Sequence, residues 1–221
     1  MDMSGSGGLS HCLTGRPDDY QASWNVKPTH QIPITFTSQN YAVKSFGLVP
    51  WSLVAPWSAS TTFKFPTLNA RSEQIALNAL YIVLKPQRRL NPGAGFYRWS
   101  GPKSSRASHA FFDPNPILPL AGLYSWWRQP AAIIGEGWCL TVRILTRTST
   151  GMMKSLHVRM PVRMSDGFLL GWLDPDTVGD QLLLDAVSKA SIPISEQLCE
   201  HTVKPFHGDG PELIEPASSP S

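Results

Sequence analysis

Apolar and polar residues alternate through Ile32 to Phe36 and again through Tyr41 to Val49, the period-two signature of half-buried strands, with Gln39-Asn40 supplying a turn between them. The period changes at Glu73. From there to Leu84 the apolar residues Ile75, Ala76, Ala79, Leu80, Val83 and Leu84 fall on one helical face, and Pro86 stops the run. Further strands are expected over residues 95–100, 118–124, 138–147, 158–164 and 198–203. A second helix is expected over residues 177–188, where Val178, Leu182, Leu183, Ala186 and Val187 share a face. There is no regular strand–helix–strand alternation. The pattern therefore predicts an α+β protein with a mostly antiparallel, barrel-like sheet core and a few helices.

Composition sharpens this only slightly. A chain of 221 residues, 42% hydrophobic, can bury one core, so a single domain over residues 1–221 is expected. Residues 1–10 read as a flexible Gly/Ser arm and residues 209–221 as a tail. Twenty prolines and 17 glycines fit many turns. No apolar run approaches the roughly 18 residues that cross a bilayer, and the start lacks the charged and apolar regions of a secretory signal. Cys12, Cys139 and Cys199 form no metal-type pair, and their odd number fits a reducing compartment.

Charge changes the picture more. Between Lys64 and Arg163 stand 14 lysines and arginines against three acids, a net of +11; from Met164 onward two lysines face ten acids, a net of −8. Such polarity predicts a side that faces a polyanion. Aromatics interleave with the cations in Phe96-Tyr97-Arg98-Trp99 and Tyr124-Ser125-Trp126-Trp127-Arg128, the mixture that single-stranded nucleic acid requires: cations for phosphates and ring faces for unstacked bases. Most of the eight tryptophans are assigned to packing and one or two to a binding surface. Phosphate-loop, dinucleotide, metal-spacing and nucleophile-elbow signatures are absent, so no cofactor and no metal are expected. Among six scattered histidines His157 stands out, because it precedes an Arg-Met-Pro turn into an apolar strand.

Six segments in order resemble the SOS-response-associated peptidase (SRAP) family of abasic-site processing proteins. They are Trp24-Asn25-Val26-Lys27-Pro28-Thr29, the Gly47 to Trp57 region, Asn69-Ala70-Arg71-Ser72-Glu73, Gly95-Phe96-Tyr97-Arg98-Trp99, Leu120-Ala121-Gly122-Leu123-Tyr124 and His157-Val158-Arg159-Met160-Pro161-Val162. The resemblance implies binding to single-stranded or abasic-site DNA in a DNA-damage response, and hence a cytoplasmic, nucleoid-associated protein. It also implies a cross-link to the sugar aldehyde through an N-terminal cysteine whose amine and thiol close a thiazolidine. Carried onto this chain, His157 becomes the proton-transfer group and Asn69 the group that orients the N-terminal residue. Arg71 becomes a phosphate contact, joined on the DNA-facing surface by Arg159 and Trp57.

Two reactive positions depart from the family. Position 2 is Asp2 rather than Cys, and Arg98 replaces the glutamate of the Gly-Phe-Tyr-Glu-Trp motif. Aspartate is not a thiol nucleophile, and an arginine cannot accept a proton as a carboxylate does. Three explanations stay open: a different native start, exposure of Cys12 by trimming, and a diverged homologue that binds without cross-linking. The last is the reading adopted, because both reactive groups are gone together. Its alternatives are an active peptidase or abasic-site lyase using an N-terminal amine or Cys12, and a phage-borne interaction protein without DNA binding. A free α-amine, with a pKa near ~7.7 to 8.0, can still form a Schiff base with an aldehyde. For Arg98 an outward position on a basic face and a phosphate contact near the site are both consistent with the sequence.

Overall fold

The computed structural model describes residues 21–37, 44–60, 67–75, 87–115, 117–130 and 137–217. Ten strands and two α-helices fall within them. In chain order the strands are β1 (Gln31–Thr37), β2 (Lys44–Pro50), β3 (Asn69–Arg71), β4 (Arg88–Gly93), β5 (Gly95–Ser100), β6 (Ala107–Phe112), β7 (Leu118–Arg128), β8 (Trp138–Thr148), β9 (Arg159–Pro161) and β10 (Cys199–Val203). The helices are α1 (Asp166–Leu173) and α2 (Gln181–Ser195). The turn at Gln39-Asn40 and most of the helix expected from Glu73 lie outside the described residues; Ser72 to Gln74 form a turn.

The larger sheet runs β2-β1-β4-β7-β8-β3, with β9 pairing the far end of β8. Its pairings are antiparallel except for β3 on β8, which is parallel. One of three isolated bridges among the described residues, Trp51 to Val142, brings the chain just past β2 back to β8. The sheet is thus rolled without being a closed barrel. A second sheet, β10-β6-β5, packs beside it. Stacked Phe96 and Phe111, 5.3 Å apart, join a buried cluster with Leu118, Leu120, Ile144, Met153 and Met160.

On the other face of the large sheet lies the main core, where Leu90, Ala121, Leu123, Leu145 and Val162 meet both helices. Helix α1 buries Leu169, Trp172 and Leu173, the i, i+3, i+4 positions, while Leu170 points outward. Its two glycines, Gly167 and Gly171, weaken the periodic signal, and the sequence pattern did not predict it. In α2 the Asp180 carboxylate accepts from the Leu183 amide at 2.9 Å, an N-cap that starts the helix four residues after the expected Thr177. The helix then continues to Ser195, past the expected end at Ser188.

Strand β4 was not expected either, because Arg88, Arg89 and Asn91 read as polar, yet all three are buried. Arg88 donates to the carbonyls of Trp172 (2.8 Å) and Asp174, at the C-terminal end of α1, and to that of Thr177 (3.0 Å) in the turn beyond it. Arg89, fully buried, donates to Leu123 O at 3.1 Å, Arg143 O at 2.8 Å and the Asn91 side chain. Its guanidinium crosses β7 at Gly122, where an added Cβ would lie 2.8 Å from Arg89 Cζ and 2.7 Å from Arg143 O. Burial drives the pKa of Arg89 well down. Backbone acceptors are what make such a charge tolerable.

Residues 209–217 do not trail as a tail. Asp209 accepts from the amides of Trp24 and Asn25 at 2.6 Å each, Leu213 is buried, and Ala217 N donates to Thr202 O at 2.8 Å.

Candidate functional site

Strand register assembles the site. Asn69, Ala70 and Arg71 pair in parallel with Ile144, Leu145 and Thr146, while Thr146, Arg147 and Thr148 pair with Pro161, Met160 and Arg159 on the other side of β8. Paired residues share a face, so Asn69, Arg71, Thr146, Thr148 and Arg159 all project to one side of the sheet. Asn69 and Arg71 are exposed. Two segments some 86 positions apart in sequence thus flank one strand.

Glu73 ties them together. Its carboxylate takes a two-pronged contact from Arg159, at 2.8 and 2.7 Å, and accepts from the Thr148 amide at 2.9 Å. Partial burial alone would raise its pKa; the bonds from Arg159 and Thr148 outweigh it and bring the carboxyl down to about 2. Arg159 also donates to Thr146 O. Its fork is therefore occupied by protein groups, and its first role is to clamp the two segments rather than to meet a phosphate.

His157 is exposed beside this clamp. Its Nδ1 lies 3.0 Å from the Arg159 amide and 2.8 Å from the Arg159 carbonyl. The short loop formed by the 3-10 turn Gly151–Ser155 positions the ring, since His157 N donates to Met153 O at 3.0 Å. Nε2 makes no hydrogen bond to a described residue, which leaves that nitrogen for proton exchange.

Arg98 does not point outward from the basic face. Its guanidinium lies over the Phe96 ring, 5.2 Å from the centroid, and NH1 donates to Tyr97 O at 2.8 Å, while burial lowers its pKa. Trp57 is exposed but sits elsewhere. Ser58 O accepts from Trp127 Nε1 at 2.8 Å, and Trp127 pairs with Cys139, seven residues before the Arg71 partner Thr146. At about 3.3 Å per residue that is about 23 Å along β8. Trp126 and Trp138, both exposed, share a face at this same hairpin end. Trp57, Trp126 and Trp138 thus gather near one end of β8 and the Asn69–Arg71 edge lies toward the other, while the exposed Trp99 belongs to the small sheet. Asp2 and Cys12 lie outside the described residues.

Sequence reading missed two features. One is a relay on the small sheet: Ser100 Oγ lies 2.7 Å from His109 Nε2, and His109 Nδ1 lies 2.7 Å from Glu200 Oε1. It joins β5, β6 and β10 edge to edge. No sequence spacing signals it, because strand pairing alone brings the three residues together. The other is Arg143. It lines a cleft of about 260 Å³ with Asn69, Ala70, Arg71, Gln74 and Ile75. Among the described residues no three His, Cys, Asp or Glu side chains cluster in a way that could hold a metal ion. No described helix is long and apolar enough to cross a membrane.

A mostly antiparallel α+β fold that sets an Asn-x-Arg strand and a His-x-Arg segment on either side of one strand defines a narrow class. The profile of the SOS response associated peptidase (SRAP) family matches residues 9–204, and the chain belongs to that family. It is 27% identical over 202 residues to the abasic site processing protein YoqW of Bacillus subtilis, spanning 89% of this chain and 87% of that protein. YoaM of the same organism, also called an abasic site processing protein, is 27% identical over 169 residues, 75% of this chain and 71% of its own. The fold recurs in a solved Bacteroides thetaiotaomicron protein with TM-score 0.67 and 17% identity, covering 86% of this chain and 82% of that one. A phage-related protein of Bordetella bronchiseptica has TM-score 0.65 and 21% identity, covering 90% and 92%.

Proposed function

We propose that the protein binds single-stranded DNA carrying abasic sites, in a DNA-damage response, and does so without forming a cysteine-dependent cross-link. The observation that carries this reading is the edge at β3. There Asn69 and Arg71 are exposed side by side, and Arg71 makes no ion pair among the described residues. His157 stands on the neighbouring segment, clamped in place through Arg159 and Glu73.

In this reading Arg71 holds a backbone phosphate by charge-assisted hydrogen bonds, and the Asn69 amide orients the nucleotide. His157 Nε2 exchanges protons with an opened sugar aldehyde. Arg98, folded over Phe96 where the family motif has a carboxylate, supplies a cation and no base. The relatives named for abasic site processing support the substrate class.

Binding measured by fluorescence anisotropy tests it. Single strands are expected to bind more tightly than duplex, with affinity falling as salt rises. Arg71→Ala should weaken binding and reduce the slope of log affinity against log salt by about 0.7, the value of one phosphate contact on a single strand. No single-strand binding at low salt would favour the interaction-protein reading.

A further inference from the structure

Five arginines of the basic block are buried: Arg88, Arg89, Arg143, Arg147 and Arg163. Four have protein partners. Arg88 and Arg89 donate to backbone carbonyls. Arg147 donates to Thr148 O at 2.8 Å and to Ser191, and Arg163 pairs with Asp113 and with the Ile194 carbonyl.

Arg143 differs. It is only 7% exposed, Nε and NH2 have no hydrogen-bond partner, and no acid pairs with it among the described residues. Burial lowers its pKa to about 10, so it stays charged at neutral pH. A desolvated, unpaired guanidinium is costly and calls for an explanation, and an anion from outside the protein is one that supplies both counter-charge and acceptors.

Arg143 lines the cleft at the β3 edge, and the residues around it are donors. By strand alternation Asn69 and Arg71 lie on one side of β3, and Ala70 with Arg143 on the other; Gln74 and Ile75 complete the walls. Among the described residues no acid lines it, and Glu73, next in sequence to Gln74, is held by Arg159. On the Arg143 side, its guanidinium fork and the Gln74 carboxamide suit an anion with several oxygens.

From these residues we propose that the cleft binds a phosphate monoester, the terminal phosphate of a DNA strand, with Arg143 as its inner cation. Depth distinguishes the terminal group from an internal one. A phosphodiester continues as chain on both sides and meets an exposed residue such as Arg71. A side chain as buried as Arg143 is reached only by a group that ends. The proposal rests on the DNA-binding reading for its source of phosphate, while the chemistry it requires is the monoester alone.

The test uses the full chain and two otherwise identical single strands, one ending in a 5′-phosphate and one in a 5′-hydroxyl. A parallel arm follows thermal unfolding in inorganic phosphate and in chloride at equal ionic strength. The phosphorylated strand is expected to bind at least about fivefold more tightly, and phosphate to raise the melting temperature saturably where chloride does not. Arg143→Met should melt higher than wild type in phosphate-free buffer, since it removes an unpaired buried charge, and should lose both the end preference and the phosphate effect. Arg143→Lys, which keeps the charge without the fork, should retain part of each.

Equal affinity for the two ends together with no phosphate effect overturns the proposal, as does an end preference that survives in Arg143→Met. An Arg143→Met protein that melts below wild type or fails to fold would show that the guanidinium has protein partners, which overturns it as well. If neither strand binds but phosphate stabilises wild type and not Arg143→Met, the cleft assignment stands and the DNA reading fails. If both strands bind alike without a phosphate effect, the reverse holds.

Discussion

Arg89 and Arg71 both belong to the +11 stretch and look equivalent in sequence, yet one is sealed in the sheet and the other stands in solvent at its edge. Arg89 spends its donors on Leu123 O, Arg143 O and Asn91, stitching β4, β7 and β8 together. Arg71 pairs with no protein acid among the described residues. A charge count along a chain therefore measures two things at once: cations that hold the fold and cations that meet a ligand. In this protein four buried arginines, Arg88, Arg89, Arg147 and Arg163, and the clamped Arg159 belong to the first group, so the surface is less basic than the sequence suggests.

Breaking the interior set should cost most. Arg89→Met leaves buried carbonyls without a donor and should lower unfolding stability by about 3 kcal/mol or more, read by denaturant titration. Arg71→Ala should change stability by less than about 0.5 kcal/mol in the same experiment. If the two variants unfold alike, the division between strut and site fails.

Gly122→Ala probes the same strut without touching a charge. A methyl group there must displace either the Arg89 guanidinium or the β8 backbone, for an expected loss of about 2 kcal/mol. Combined with Arg89→Met it should cost less than the sum of the two, because the clash disappears with the guanidinium.

At the hairpin end, Trp126→Ala asks whether the exposed tryptophans stack bases. If a strand runs along β8 from the Arg71 edge, the loss should be about 1 kcal/mol for strands long enough to span about 23 Å and near zero for shorter ones. Equal effects on both lengths would separate that patch from the site.

The smallest effect belongs to Glu73. Its carboxyl falls from 4.5 to about 2 on folding, so its stabilisation is present above about 4.5 and is lost as pH falls through 2. Glu73→Gln should lose under about 1 kcal/mol at neutral pH, as befits a half-exposed pair, and should flatten the acid limb of stability between pH 4.5 and 2. An unchanged acid limb would remove Glu73 from the clamp.

Much of the fold was legible in the sequence. The alternating run at Ile32 became a strand, because a half-buried strand writes its burial into period two, and the runs from Leu118 and Trp138 became strands buried along most of their length on both faces. Apart from α1, whose glycines blur its period, the main misses share one cause. Strand β4 buries Arg88, Arg89 and Asn91, whose burial depends on acceptors contributed by α1, β7 and β8, and no local pattern reports such partners. Arg98 tucked over Phe96 instead of facing outward for the same kind of reason, since a neighbouring ring supplied a surface the chain could not announce. At the site, Asn69, Arg71, His157 and Arg159 were named from motif resemblance. Pairing of β3 and β9 with β8 then sets them about one strand, whereas Trp57 lies at the other end. Arg143 was invisible, because nothing in sequence distinguishes a buried cation that has partners from one that lacks them.

The most direct test of the central claim is to incubate the purified protein with an abasic single-stranded oligonucleotide and to split the sample between a native binding assay, a heated denaturing gel and a gel after hydride reduction. Binding without covalent chemistry at the thiol level predicts a native complex, no shifted band after heating, and at most a band that appears only with the reductant, the mark of a reversible imine. A heat-stable shifted band from the unreduced protein would contradict the account, and Cys12→Ser would then show whether that cysteine forms the adduct.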